Sequence, residues 1–162
     1  MVNINLSYTS KINPSGATPV LTRAQVWAGL QRKIRFAQEF VPVIESCQVL
    51  EETDDGVVTR EVRFREGPKD RAREVVRGFW PSWVDFEQED GTRIRNTISE
   101  GPSGDLDDLK MTYSFEWRVP HLQEESEEFE KEMKRFKGMA KGAVESSIEA
   151  MREMVKDGRI KE

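Results

Sequence analysis

Alternation of apolar and polar residues with a period of two predicts strands along most of the chain. It is clearest over residues 111–119, and it recurs over residues 57–65 and 2–8. An Asp-Asp-Gly turn at residues 54–56 precedes one of these segments. Further strands are predicted at residues 47–52, 72–79, 82–88 and 92–99. The pattern therefore predicts seven antiparallel strands.

A helix is predicted between the first strand and the rest. Thr22 and Gln25, three residues apart, are the signature of a capping box. Apolar residues then recur at the spacing of one helix face over residues 26–34. Pro42 indicates that a second short helix, around residues 40–44, follows this first one.

A second, long helix is predicted at the C-terminal end, from residue 124 to residue 156. Its acidic start suits the positive end of a helix dipole. Apolar and small residues form one stripe along it at spacings of three and four. The stripe consists of Phe129, Met133, Phe136, Ala140, Val144, Ser147, Met151 and Val155.

The order of these elements predicts an α+β fold with the helix-grip (Bet v 1-like) architecture. Seven antiparallel strands need a partner for their apolar face, and a long amphipathic helix supplies it. We expect a seven-stranded curled antiparallel sheet around the long C-terminal helix, with short helices inserted after strand one. Residues 1–162 are predicted to form a single ligand-binding domain, because a curled sheet and a helix often leave room for a ligand.

Composition and charge exclude several classes of protein. No stretch approaches the ~20 apolar residues of a membrane span, and a net charge of −5 argues against a nucleic-acid partner. Cys47 is the lone cysteine, and no secretory signal pattern precedes it, so a cytoplasmic location is predicted. No phosphate loop, dinucleotide fingerprint or metal-ligand spacing is present, so no cofactor and no metal are predicted.

Several short segments resemble one family in particular. They are residues 21–30 (LTRAQVWAGL), 40–42 (FVP), 96–101 (NTISEG), 115–118 (FEWR) and 139–145 (MAKGAVE). These segments and the element order resemble the AtaL-like family of fungal and bacterial proteins, within the SRPBCC superfamily of Bet v 1-like and START-like domains. The likeness extends over nearly the whole chain.

The resemblance implies a soluble domain with a hydrophobic cavity, in some members encoded within secondary-metabolite gene clusters. It implies binding of a hydrophobic, aromatic or polyketide-like small molecule and its isomerisation or cyclisation without a cofactor. It supplies no catalytic residues. A non-catalytic carrier or sensor, and a partner-binding domain with a filled core, are the alternatives. The oligomeric state is left as monomer or homodimer.

Candidate ligand-binding residues lie on the predicted inward faces of the strands and helices. Gly138, Gly142 and Ala143 are small residues that would leave space near the middle of the long helix. The predicted ligand-binding set is Trp27, Leu30, Val62, Phe64, Asn96, Ile98, Phe115, Trp117, Met133, Phe136 and Ala140.

Three polar residues are candidates for catalysis: Arg60, Tyr113 and His121. Arg60 interrupts an apolar strand face, and a buried guanidinium needs a carboxylate such as Glu74, carbonyl groups or a ligand anion. Arg60 would stabilise enolate or phenolate charge, or else form a structural ion pair. The Tyr113 phenol would bind a carbonyl or transfer a proton, or else cap the cavity. His121 would exchange protons at the rim, or else simply face solvent.

Overall fold

The computed structural model describes residues 2–67 and 69–161. Within these residues, seven strands and two α-helices follow in the predicted order. The strands are β1 (Val2–Lys11), β2 (Ile44–Glu52), β3 (Val58–Phe64), β4 (Arg71–Phe79), β5 (Trp83–Gln88), β6 (Arg93–Glu100) and β7 (Leu109–Val119). The helices are α1 (Arg23–Arg35) and α2 (Glu127–Lys156).

All seven strands belong to one curled antiparallel sheet in the order β1-β7-β6-β5-β4-β3-β2. Neighbours from β2 to β7 are consecutive in sequence, and β1 closes the order by pairing with β7. The helix α2 packs against the face of the sheet that carries the buried residues of each strand. The predicted helix-grip fold is therefore confirmed.

The helix α1 begins as the sequence predicts. The Thr22 hydroxyl accepts a hydrogen bond from the backbone N–H of Gln25, and the Gln25 side chain accepts one from the N–H of Thr22. Farther along, a Cβ at Gly29 would lie 2.6 Å from Cγ of Met151, so the absence of a side chain lets α1 lie close against α2.

The segment between α1 and β2 differs from the prediction. A single 3-10 turn, Ala37–Glu39, takes the place of the expected short helix around residues 40–44. Phe40 is buried, and Pro42 has no N–H with which to continue a helix. The chain enters β2 at Ile44, three residues earlier than the sequence pattern indicates.

The inward strand faces agree with the alternation in the sequence. Val58, Arg60 and Val62 are buried on β3, while Asn96 and Ile98 are buried on β6. On β7, the buried residues are Leu109, Met111, Tyr113, Phe115 and Val119. A period-two pattern specifies the face of each residue, because a one-residue slip would expose the whole apolar set.

Neither α-helix in the described residues has the length and apolar character required of a membrane-crossing segment.

Candidate functional site

A pocket of about 840 Å³ lies between the inward face of the sheet and α2. Its rim contains exposed residues, among them Pro42, Arg65 and Arg135. Its base is made of buried residues, several of which are polar. Those polar residues are Lys33, Arg60, Glu74 and Tyr113.

Lys33 comes from the last turns of α1 and places its amine at this base. The side chain is 5% exposed. Nζ donates a 2.7 Å hydrogen bond to Oδ1 of Asn96 and a 3.0 Å hydrogen bond to the hydroxyl of Tyr113. Both acceptors are neutral groups, and within the described residues Lys33 forms no ion pair with a carboxylate.

This environment disfavours the charged form of the amine. Burial and, to a smaller extent, the positive charge of Arg60 lower the pKa of Lys33 to about 7, although the negative charge of Glu74 partly offsets them. A substantial fraction of the amine is therefore neutral at physiological pH, and a neutral amine is both a base and a nucleophile.

Arg60 and Glu74 are directly paired across β3 and β4 and form a buried ion pair. Nε and one terminal nitrogen of Arg60 donate to the same carboxylate oxygen of Glu74, at 2.9 and 2.7 Å. The other terminal nitrogen donates to the carbonyls of Lys33 and Ile34, each at 2.9 Å, and so satisfies the C-terminal end of α1. The second carboxylate oxygen of Glu74 accepts a 3.0 Å bond from Gln88.

Tyr113 and Asn96 are cross-strand partners on β7 and β6. Burial raises the pKa of the Tyr113 phenol, so its hydroxyl keeps its proton over the physiological range. Asn96 is fully buried, and its Nδ2 has no hydrogen-bond acceptor among the described residues. The base of the pocket therefore offers an amine and a protonated phenol, and an unsatisfied amide N–H lies directly behind them.

The walls above this base are largely apolar. Trp117 lies between two other aromatic rings, with ring centroids 4.4 Å from Phe115 and 4.0 Å from Phe136. Phe86 faces both cations at the base, 5.4 Å from Nζ of Lys33 and 4.9 Å from the guanidinium carbon of Arg60. Other apolar lining residues are Val41, Val43, Ile44, Val62, Phe64, Ile94, Met139 and Ala143.

Six of the predicted site residues line this pocket: Arg60, Val62, Phe64, Tyr113, Phe115 and Trp117. Asn96 lies directly behind the lining, where it accepts the hydrogen bond of Lys33. All seven come from strands, on which the face of a residue follows directly from the alternation.

The other predicted site residues are not part of the pocket lining. On α2 the lining face carries Arg135, Met139, Gly142 and Ala143, whereas the predicted residues occupy the adjacent face that packs into the core. His121 is exposed in the turn that follows β7. The displaced residues are Trp27, Leu30, Ile98, Met133, Phe136, Ala140 and His121.

The sequence analysis missed Lys33. Its position carries a usable signal, because Val26, Leu30 and Lys33 are spaced four and three residues apart on the buried side of α1. A lysine in such a stripe interrupts an apolar face in the same way as Arg60 does on β3. Lysine is almost never fully buried unless it is paired.

A metal centre is not apparent in the part of the chain that the structure describes, since no three His, Cys, Asp or Glu side chains come together in residues 2–67 and 69–161. The polar base of the pocket combines one carboxylate with two cations, which is a poor ligand set for a metal ion.

Sequence comparison assigns the family. Residues 6–158 match the profile of AtaL, described as acetylaranotin biosynthesis cluster protein L. The chain belongs to the AtaL family. No protein with curated functional knowledge shows significant sequence similarity to it.

Solved structures share the fold of this AtaL-family protein at low sequence identity. The Zhui aromatase/cyclase from Streptomyces sp. R1128 is 9% identical, with 95% of each chain covered and a TM-score of 0.68. The di-domain aromatase/cyclase StfQ of the steffimycin pathway is 8% identical, with a TM-score of 0.67. The match covers 97% of this chain and 52% of StfQ, so this chain spans about half the length of StfQ. Ara h 8.0201 is 10% identical, with a TM-score of 0.58, and the match covers 96% of this chain and 98% of Ara h 8.0201.

Proposed function

We propose that this protein binds a hydrophobic, aromatic or polyketide-like small molecule in the pocket and promotes its isomerisation or cyclisation. One observation carries the proposal: apolar walls lead inward to a buried base where the amine of Lys33 bonds to the Tyr113 hydroxyl and to Asn96 behind the lining. Apolar clefts that end on a few convergent polar groups are typical small-molecule sites. Membership of a biosynthesis-cluster family and the shared fold of two polyketide aromatase/cyclases support the same substrate class.

The polar base suits chemistry at a carbonyl group. Isomerisation and cyclisation of a polyketide pass through an enolate or phenolate, which hydrogen-bond donors and positive charge stabilise. Tyr113 keeps its proton and would donate a hydrogen bond to the carbonyl oxygen. The guanidinium of Arg60 adds positive charge beside it, and burial of both groups strengthens the effect because little water screens them.

Native mass spectrometry of protein purified from its own host tests binding. We expect a co-purifying aromatic compound, released on denaturation. A protein that carries no compound from its host, and gains no thermal stability from a host extract, would contradict the proposal and favour a partner-binding domain.

Incubation of the recovered compound with fresh protein then separates an enzyme from a carrier. We expect conversion to a new product, and a rate about a hundredfold lower in Tyr113→Phe, which keeps the ring but removes the donor. Binding of the compound without conversion at any protein concentration would support the alternative function, a carrier or sensor.

A further inference from the structure

The amine of Lys33 is more than a structural donor. It lies at the base of the pocket, yet neither group that accepts its hydrogen bonds carries a charge. A lysine retained only to hold the fold would be expected to pair with a carboxylate, because burial of an unpaired ammonium costs free energy. Glu74, the nearby buried carboxylate, is instead bonded to Arg60 and Gln88.

The groups that face Lys33 from each neighbouring element all leave the amine short of a counter-ion. Arg60 from β3 opposes its charge, and Glu74 from β4 has its charge engaged by Arg60. Tyr113 from β7 stays a neutral phenol. Cys47 from β2 contacts Arg60, with 3.8 Å between sulfur and nitrogen. Burial, together with the opposing charge of Arg60 and the smaller offsetting charge of Glu74, holds the pKa of Lys33 at about 7, so the amine has an available lone pair.

We propose that Lys33 is a nucleophilic amine that captures a β-dicarbonyl ligand covalently as an enaminone. The proposal deepens the proposed function and rests on it, since it places the same class of ligand in the same pocket. A β-dicarbonyl is the repeating unit of an uncyclised polyketide. It is also the class of carbonyl compound whose condensation product with an amine is stabilised by conjugation with the second carbonyl.

The reaction needs only the groups at the base of the pocket. Nζ attacks one carbonyl carbon, a C–N bond forms, and the π electrons move to oxygen, which receives a proton from the Tyr113 hydroxyl 3.0 Å from Nζ. The nitrogen then returns a proton to the Tyr113 phenolate. Tyr113 donates that proton to the new hydroxyl, which leaves as water, and the proton lost from the carbon between the two carbonyl positions restores the phenol and gives the enaminone. One water is released, and no group is oxidised or reduced.

Asn96 lies directly behind the pocket lining, and we expect it to hold the second carbonyl once the ligand is joined to Nζ. Oδ1 of Asn96 accepts a 2.7 Å hydrogen bond from Nζ of Lys33. The amide nitrogen of Asn96 is therefore close to the reacting amine. That nitrogen is buried and lacks an acceptor among the described residues. A carbonyl oxygen of the ligand would satisfy an N–H that the protein itself leaves unpaired.

Pentane-2,4-dione is the probe. We expect intact-mass spectrometry to show the addition of one diketone less one water, peptide mapping to place it on Lys33, and an enaminone absorbance to appear. Lys33→Met should abolish this adduct, whereas Lys137→Met, which alters an exposed lysine on α2, should leave it unchanged.

Asn96→Asp provides a second variant in case Lys33→Met fails to fold. A carboxylate beside Nζ raises the pKa of Lys33, so the adduct should form more slowly at neutral pH, by about tenfold for each unit of the pKa. Its rate should recover at higher pH. A lysine with a purely structural role would not give a pH profile that moves in this way.

Two results would overturn the proposal. One is the absence of any adduct on Lys33 in the folded wild-type protein. The other is adducts spread over exposed lysines at equal rates. The probe does not depend on the host compound. Either result would therefore contradict covalent capture without deciding the proposed function, which native mass spectrometry tests separately. A host compound that co-purifies without a covalent link would fit the proposed function and contradict covalent capture.

Discussion

Nζ of Lys33 lies 3.0 Å from the hydroxyl of Tyr113, although the two residues are 80 positions apart in sequence. The first comes from α1 and the second from the middle of β7. Burial shifts the two pKa values in opposite directions, downward for the amine and upward for the phenol. Both shifts favour the neutral form, because a low-dielectric environment penalises charge of either sign. The result is a pair in which one group can act as a nucleophile or base while the other remains an acid.

The lowered pKa of Lys33 predicts a dependence of stability on pH. Between pH 7 and about 10, the unfolded chain keeps a proton on this lysine and the folded chain does not. The unfolded state therefore binds more protons, and the free energy of unfolding rises with pH by about 1.4 kcal/mol per unit from this residue. Urea unfolding of wild type and Lys33→Met at several pH values isolates this contribution.

The free energy of unfolding of wild type, relative to that of Lys33→Met, should increase as the pH rises from 7 towards 10. It should be constant below pH 6, where the lysine is protonated in both states. The absolute difference at one pH is less informative, because the methionine also leaves Asn96 and Tyr113 without a donor. If the free energies of unfolding of the two proteins changed in parallel over the whole pH range, the assigned pKa of Lys33 would be contradicted.

The buried pair of Arg60 and Glu74 is expected to be important for stability. Replacing one partner leaves the other as an uncompensated buried charge, which costs about 3–5 kcal/mol. We expect Arg60→Met and Glu74→Gln each to lose that much in urea unfolding. The double variant should recover part of the loss but not all, since Arg60 also bonds the carbonyls of Lys33 and Ile34.

Asp85 and Arg95 provide a matched comparison on the other face of the sheet. Arg95 also donates from Nε and one terminal nitrogen, at 2.6 and 3.0 Å, here to the two separate carboxylate oxygens of Asp85, but Arg95 is about half exposed. Removal of either of these partners should change stability by at most about 1 kcal/mol. Equal losses at the two pairs would mean that burial does not set the contribution of the Arg60–Glu74 pair.

Gly142 is a site at which the pocket can be closed without disturbing the fold. It lines the pocket, and a Cβ there would meet no atom within 4 Å among the described residues. Gly142→Leu should fill the pocket entrance and stabilise α2, because glycine costs about 1 kcal/mol in a helix interior. We expect loss of ligand binding together with a raised melting temperature.

Gly138 is the control for this experiment. It lies one helix turn earlier, is equally free of neighbours among the described residues, and lies outside the pocket lining. Gly138→Leu should stabilise the helix to a similar extent and leave binding intact. Equal loss of binding in both variants would show that the ligand does not enter beside Gly142.

Trp117 should report directly on pocket occupancy. Its ring lines the pocket, whereas Trp80 is 66% exposed and packs edge-on against Trp27. We expect an aromatic ligand to quench tryptophan fluorescence in wild type, and the change to be largely lost in Trp117→Phe but retained in Trp80→Phe. Quenching that survives Trp117→Phe would place the ligand elsewhere.

The sequence predicted which strand residues face inward better than it predicted which helix residues line the pocket. A strand has two faces, so alternation identified Arg60 and Tyr113 as inward residues without any knowledge of the partner strands. A helix presents a continuous surface, and two neighbouring stripes on it differ by one residue position. The choice between Ala140 and its neighbour Met139 as a pocket residue was therefore beyond a pattern of spacing.

By itself the sequence determined the element order, the inward faces of the strands and the family, because these depend on local periodicity and on matched residues. Only the tertiary structure decided which polar groups meet. It paired Arg60 with Glu74, and it brought Lys33 to Tyr113 across a long separation in the chain. The physical reason is that burial and hydrogen-bond partners depend on how α1 lies across the sheet, and these in turn set the protonation state of the amine.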